Sequence, residues 1–124
     1  MYDAELHRAL ERHQFTLFYQ PQVRLADGAL VGAEALIRWH HPERGLLLPA
    51  AFLPALDGGV LAEPVGRWVL DAACAQAAAW QAFDPEFRMS INLSAAQFRS
   101  GDLERQVRDA LDRHGLRPQT LELE

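Results

Sequence analysis

Residues 33–45, AEALIRWHHPERG, hold a glutamate inside an otherwise apolar run and follow it with an arginine, a tryptophan and two histidines. A carboxylate in an apolar strand is costly unless it is paired or bound to something, so Glu34 calls for a partner. Period-two alternation puts Glu34, Leu36 and Arg38 on one face and Ala33, Ala35 and Ile37 on the other. Further oxygen donors close two other strand-like runs: Asn92 and Ser94 in FRMSINLS (87–94), and Glu124, sharing a face with Glu122, in TLELE (120–124). Oxygen donors of this kind suit a hard cation such as Mg²⁺ or Mn²⁺. In a β/α barrel the C-terminal ends of several strands carry the chemistry.

Each donor also has an ordinary explanation. Glu34 could pair with Arg38 along the same face, although roughly 13 Å of strand rise makes that contact poor. Asn92 and Ser94 could be turn formers that close a strand, and Glu124 a solvated end residue. Taken singly, these explanations outweigh the metal reading. His40 and His41 have no Cys or His at zinc-ligand spacing and take a structural or loop role. Trp39, Trp68 and Trp80 read as core. No Gly-rich phosphate loop and no GxSxG elbow is present.

The elements that must position these residues follow from periodicity. Asp3 starts a short helix with Leu6 and Leu10 on one face, ending near Arg12. FTLFYQPQV (15–23) alternates as a strand, LADGAL (25–30) supplies an Asp-Gly turn, and LVGAEALIR (30–38) completes an antiparallel hairpin. HHPERGLLLP (40–49) is too rich in turn residues to be regular, and AAFLPALDGG reads as one helical turn. A long helix starts at Pro64 with Val65, Trp68, Val69, Ala72, Ala75, Ala79 and Trp80 as its apolar stripe. A strand (87–94), a helix (101–115) capped by Asp102 and stopped by Gly115, and a strand from Thr120 complete the pattern. Strands alternating with helices imply crossovers and parallel pairing.

With 124 residues, 49% hydrophobic and 23% charged, the chain reads as globular. A net charge of −5 without a basic stripe argues against long nucleic acid as a partner. The single cysteine, Cys74, reads as packing and is compatible with a reducing cytoplasm. No run approaches a membrane span, so a cytoplasmic location is expected, with any anchor outside this chain.

In order and spacing, FYQP (18–21), EALIRWHHPERG (34–45), PAAFLP (49–54), GRWVL (66–70), NLSAAQF (92–98) and LELE (121–124) resemble the EAL domain of bacterial cyclic di-GMP phosphodiesterases. The resemblance runs from about Leu6 to the end. It implies an α/β fold, the N-terminal half of a modified (β/α)8 TIM-type barrel whose first strand runs antiparallel, with residues 1–124 a partial EAL domain. It also implies hydrolysis of cyclic di-GMP to pGpG with two Mg²⁺ or Mn²⁺ ions. By the same resemblance Glu34 is a catalytic metal ligand, Asn92 and Glu124 are further ligands, and Gln20, Leu36 and Arg38 hold the dinucleotide. Arg38 suits a phosphate oxygen.

Two departures stand out. Asp57-Gly58-Gly59-Val60 replaces a loop that in the family carries two acids and Ser-Gly. A whole barrel needs roughly 250 residues, and the family's downstream Asp pair, lysine, further Glu and closing strands are absent. The expectation is therefore an incomplete two-metal site and an inactive isolated chain, its open edge hidden by homo-oligomerisation or strand exchange. The alternative is a degenerate, non-catalytic module for cyclic di-GMP binding or protein interaction. An unrelated glycoside hydrolase, which needs no cation, is the remaining reading.

Overall fold

The computed structural model describes residues 3–93, 97 and 101–124. Ser94 and most of the NLSAAQF block lie outside the described residues. Helix α1 (Asp3–Glu11) buries Leu6 and Ala9 and ends in a reversal at His13, whose φ of 55° is left-handed. The Gln14 N–H reaches back to the Ala9 carbonyl at 2.9 Å, which turns the chain into β1 (Phe15–Val23).

β1 pairs antiparallel with β2 (Leu30–His41), in register from Phe15↔Trp39 to Gln22↔Gly32. The turn between them is closed by the Asp27 carboxylate, which accepts the Ala29 N–H at 3.0 Å, with Gly28 at φ 70°. β2 runs three residues beyond the 30–38 expected. The segment expected to be irregular holds β3 (Gly45–Leu47), antiparallel to the end of β2. The reason is local: the His41 Nδ1 accepts the Glu43 and Arg44 N–H groups at 3.1 Å each, and Gly45 takes φ 75°.

Helix α2 (Pro49–Asp57) is nine residues rather than one turn. It buries Phe52 and Leu56, and this packing keeps the helix intact past Pro54. Helix α3 (Ala62–Gln81) begins two residues before Pro64. Its buried face is Val65, Leu70, Ala73, Cys74 and Ala77, whereas Ala75 and Ala79 of the expected stripe are exposed. An alanine-rich helix is apolar almost all round, so periodicity cannot select the face; docking on the sheet does.

β4 (Arg88–Ile91), α4 (Leu103–His114) and β5 (Leu121–Leu123) follow. Gly115 at φ 66° ends α4 as expected. Strand order is β1-β2-β4-β5, with β3 on β2; β1 is antiparallel, while β2–β4 and β4–β5 are parallel. Helices α3 and α4 cover one face, enclosing Ala33, Ala35, Met89, Ile91 and Leu111. A second cluster joins α1, α2 and the hairpin around Phe15, Trp39 and Phe52, with Trp39 and Phe52 edge to face at 5.6 Å between centroids. β2 and β4 approach closely at Gly32, where a Cβ would stand 2.5 Å from the Arg88 carbonyl oxygen.

Candidate active site

The face of the sheet opposite the helices carries the polar residues. Parallel register sets Glu34 against Ser90 and Ser90 against Glu122. The ladder continues at the ends of β4 and β5: the Glu124 N–H donates to the Ile91 carbonyl at 2.9 Å, and the Leu93 N–H donates to the Glu124 carbonyl at 2.8 Å. These bonds place Asn92 and Glu124 side by side on neighbouring strands, about 4.8 Å apart. Glu34, half-buried, accepts a hydrogen bond from the Asn92 Nδ2 at 2.8 Å. The carboxylate that β2 should not tolerate thus faces away from the apolar core, towards an amide donor.

Across the hairpin, Gln20 pairs with Glu34, Phe18 with Leu36 and Thr16 with Arg38. Gln20, Leu36 and Arg38 therefore share the face of Glu34. The Arg38 guanidinium lies over the Phe18 ring, 5.5 Å from its centroid, and donates to the Ile37 carbonyl at 2.9 Å. It forms no ion pair with Glu34, in keeping with their separation along the strand. This contact leaves part of the guanidinium fork for an anion.

Below this row lies a layer the motifs alone do not single out. The Ser90 hydroxyl, fully buried, donates to Glu122 at 3.3 Å, and Arg88 reaches the same carboxylate at 3.5 Å. Period two puts Arg88 and Ser90 on the face of Asn92, and Glu122 on that of Glu124; it does not show that they engage one another. Glu122 is so occupied, while Glu124 stands just past the end of β5 and Glu34 lies within β2. Phe18, 44% exposed, is a further residue of this face, and its alternation with Leu17 and Tyr19 was its signal.

Among the described residues no group of three or more His, Cys, Asp or Glu is placed to hold a metal ion. With the Asn92 amide turned, Glu34, Asn92 and Glu124 would offer carboxylate and amide oxygens, the donor chemistry that a hard cation takes. The histidines are not part of it: His41 is buried, packs at a tilt against Trp39 at 4.9 Å between centroids, and its Nε2 hydrogen-bonds the Glu5 carboxylate. Cys74 is buried, and burial pushes its thiol up to about 11, so it is no nucleophile. A cavity of about 510 Å³ lined by Tyr19, Trp80, Phe83 and Phe87 lies by Gly32 and Ala33, at the opposite end of β2 and β4 from Asn92, without the oxygen-donor set. No helix among the described residues is long and apolar enough to cross a membrane.

A family model described as EAL domain matches residues 3–124. The bifunctional diguanylate cyclase/cyclic di-GMP phosphodiesterase MucR of Pseudomonas aeruginosa is 45% identical over 121 residues, covering 97% of this chain and 18% of MucR. The structure of the PaMucR phosphodiesterase in complex with c-di-GMP superposes with a TM-score of 0.92 at 44% identity, covering 97% of this chain and 49% of that one. The FimX EAL domain from Pseudomonas aeruginosa bound to c-di-GMP gives 0.84 at 30% identity, over 98% and 48% of the two chains. The chain thus spans less than a fifth of the curated relative and about half of each solved chain.

Proposed function

The chain belongs to the EAL domain family, with the α/β fold of part of that family's TIM-barrel-like domain, and from this premise we propose that its Glu34 face is one wall of a cyclic di-GMP phosphodiesterase site. One observation carries the reading. Gln20, Glu34, Leu36, Arg38, Asn92 and Glu124, drawn from the hairpin and from the ends of β4 and β5, stand on the single face that the helices leave open.

In this proposal Glu34, Asn92 and Glu124 would hold Mg²⁺ or Mn²⁺. When bound, such a cation neutralises phosphodiester charge and lowers the pKa of a coordinated water, which lets a chain of net charge −5 accept an anion. Asn92 now turns its amide nitrogen to Glu34. To offer its oxygen instead it rotates about its terminal torsion, a soft motion, and the same rotation frees the Glu34 oxygen. Arg38, steadied on Phe18, orients a phosphate oxygen. Gln20 supplies a donor and an acceptor, and Leu36 an apolar wall, for the nucleotide.

The donors this chain supplies suffice for one cation. A two-ion clamp needs further carboxylates, so we propose that the 124 residues alone turn over cyclic di-GMP negligibly. The strands at the two ends of the sheet, β1 and β5, have no outer partner among the described residues, and pairing with another copy or strand exchange would satisfy them. A concentration-independent monomer in light scattering would refute that pairing.

The site is tested by titrating the pure chain with cyclic di-GMP and Mn²⁺, following amide shifts and product together. The expected result is shifts at Gln20, Leu36 and Arg38 that depend on Mn²⁺ and are lost in Glu34→Gln, with no pGpG formed. Shifts confined to other faces reject the wall. Binding indifferent to both EDTA and Glu34→Gln favours a non-catalytic binding module, and sustained Mn²⁺-dependent turnover rejects the single-cation statement.

A further inference from the structure

The cavity of about 510 Å³ beside Gly32 and Ala33 has walls that alternation explains. Tyr19 and Pro21 of β1 stand opposite Ala35 and Ala33 of β2, on the face away from Glu34. Trp80, in the last turn of α3, closes against them. Its ring centroid is 4.9 Å from that of Tyr19 and 5.2 Å from that of Phe87, edge to face in both contacts. These three rings hold one another, so the wall is set before any ligand arrives. Phe83, 90% exposed, and Leu30, 54% exposed, are the open apolar members of the lining.

Among the described residues this lining holds one charged side chain, Asp84. Burial raises the Tyr19 phenol above its ordinary 10, so that wall stays neutral. The Asp84 Oδ1 accepts the Glu86 N–H at 3.1 Å, which fixes the carboxylate in the turn between α3 and β4. A neighbouring cavity shares Leu30 and Asp84 and adds Arg24 and Arg88. Both arginines are committed elsewhere, Arg24 to Asp27 at 2.9 Å and Arg88 to Glu122 at 3.5 Å. Arg117, which donates to the Pro85 carbonyl at 2.7 Å, pairs with Glu86 at 3.0 Å. Among the described residues Asp84 itself is in no ion pair. Its carboxylate therefore shares a cavity with four aromatic rings and with no cation of the chain's own.

We propose that this cavity binds a small organic cation, an ammonium carrying methyl or aryl groups, at a site separate from the Glu34 face. Aromatic ring faces attract an ammonium within about 6 Å of their centroids, and Asp84 supplies the complementary charge. Alkyl groups on the nitrogen suit apolar walls, whereas a bare ammonium is strongly hydrated. The volume lies within the range of small-molecule sites, about 300–1,000 Å³. An anion would meet the like charge of Asp84, and a neutral ligand would leave that charge unused.

The chain is titrated with benzyltrimethylammonium, with neutral benzyl alcohol and with benzoate, at ionic strength held constant with sodium chloride. The Trp80 indole N–H and the Gly32 and Asp84 amide resonances are followed. The expected result is saturable binding of benzyltrimethylammonium, about fivefold or more tighter than benzyl alcohol, with none by benzoate. Asp84→Asn keeps the oxygen that takes the Glu86 N–H and removes the charge. It is expected to weaken the ammonium about threefold and to leave benzyl alcohol unchanged, while Asp57→Asn, at the end of α2, changes neither. Shifts that never saturate, benzyl alcohol or benzoate binding as tightly as the ammonium, or an Asp84→Asn protein that binds the ammonium as its parent does overturns the site. None of these readings depends on Mn²⁺ or on the Glu34 face, so the two proposals fail separately.

Discussion

Gly32→Ala adds one methyl group at the first pair of the β2–β4 ladder, where Gly32 stands opposite Arg88. The new Cβ falls 2.5 Å from the Arg88 carbonyl oxygen and 3.2 Å from its Cβ. Ordinary contact starts at 3.4 Å, so the strands must part by 3.4 − 2.5, about 0.9 Å, at that end. The obstacle is backbone in a parallel ladder and cannot swing aside. Overpacking of this kind costs about 1–3 kcal/mol, offset by about 0.4–1 kcal/mol from the reduced freedom of the unfolded chain. The net loss is about 1–2 kcal/mol, which for a domain of this size lowers Tm by about 3–10 °C. Glu34↔Ser90 is the next pair with side chains on that face, so the same opening loosens the 2.8 Å Asn92–Glu34 bond. Urea and thermal unfolding measure the first effect, and the Asn92 side-chain amide resonances the second. Gly58→Ala is the internal control, since its Cβ meets nothing nearer than the Pro54 carbonyl oxygen at 3.8 Å; it should change stability by less than about 0.5 kcal/mol. A Gly32→Ala protein as stable as its parent, or a Gly58→Ala protein equally weakened, refutes the close-approach reasoning.

Other expectations follow from the same geometry. Glu34→Gln should abolish any rise in Tm on adding Mn²⁺, read by differential scanning fluorimetry, because it removes the charged donor of the set; a rise that persists removes Glu34 from it. The hydrogen bond from His41, then the charges of His41, Arg44 and Arg8, hold the Glu5 carboxyl below its ordinary 4.5. Its folded pKa is therefore the lower one, so its stabilisation is complete above 4.5 and is lost as pH falls through the depressed folded value. Urea midpoints measured through that acid range should fall less steeply in Glu5→Gln. Cys74, buried and with its thiol pushed up to about 11, should resist aromatic disulfide reagents at pH 8 in the native chain and react at once in urea; fast native labelling contradicts the packing of α3. Trp39→Phe removes the indole N–H that donates to Gln14 at 3.0 Å and strands a part-buried acceptor. The cost should be about 1–3 kcal/mol in chemical denaturation.

Much of this site was legible from alternation. Period two in residues 30–38 and 87–94 places Glu34, Leu36, Arg38 and Asn92 on polar-bearing faces; β2 carries the first three, whereas β4 stops at Ile91, one residue short of Asn92. The ordered EAL-like blocks supplied the family, which the match over residues 3–124 bears out. Where expectation and structure part, the cause is tertiary or a local bond that composition conceals. β3 forms because the His41 ring satisfies the turn beside it. α2 persists past Pro54 because Phe52 and Leu56 are buried.

The sequence by itself determined residue types and their alternation: which side chains share a strand face, where glycines permit reversal, and that oxygen donors recur near strand ends. These properties are local, set by backbone geometry within a few residues. Only the tertiary structure decided which strands are neighbours, which side of the alanine-rich α3 is buried, and that Asn92 meets Glu34 through its nitrogen. It also brought Tyr19, Trp80, Asp84 and Phe87 around one cavity. Those outcomes join residues far apart in the chain, and the burial of apolar surface that enforces them is non-directional. Which surfaces meet is settled only when sheet and helices pack together.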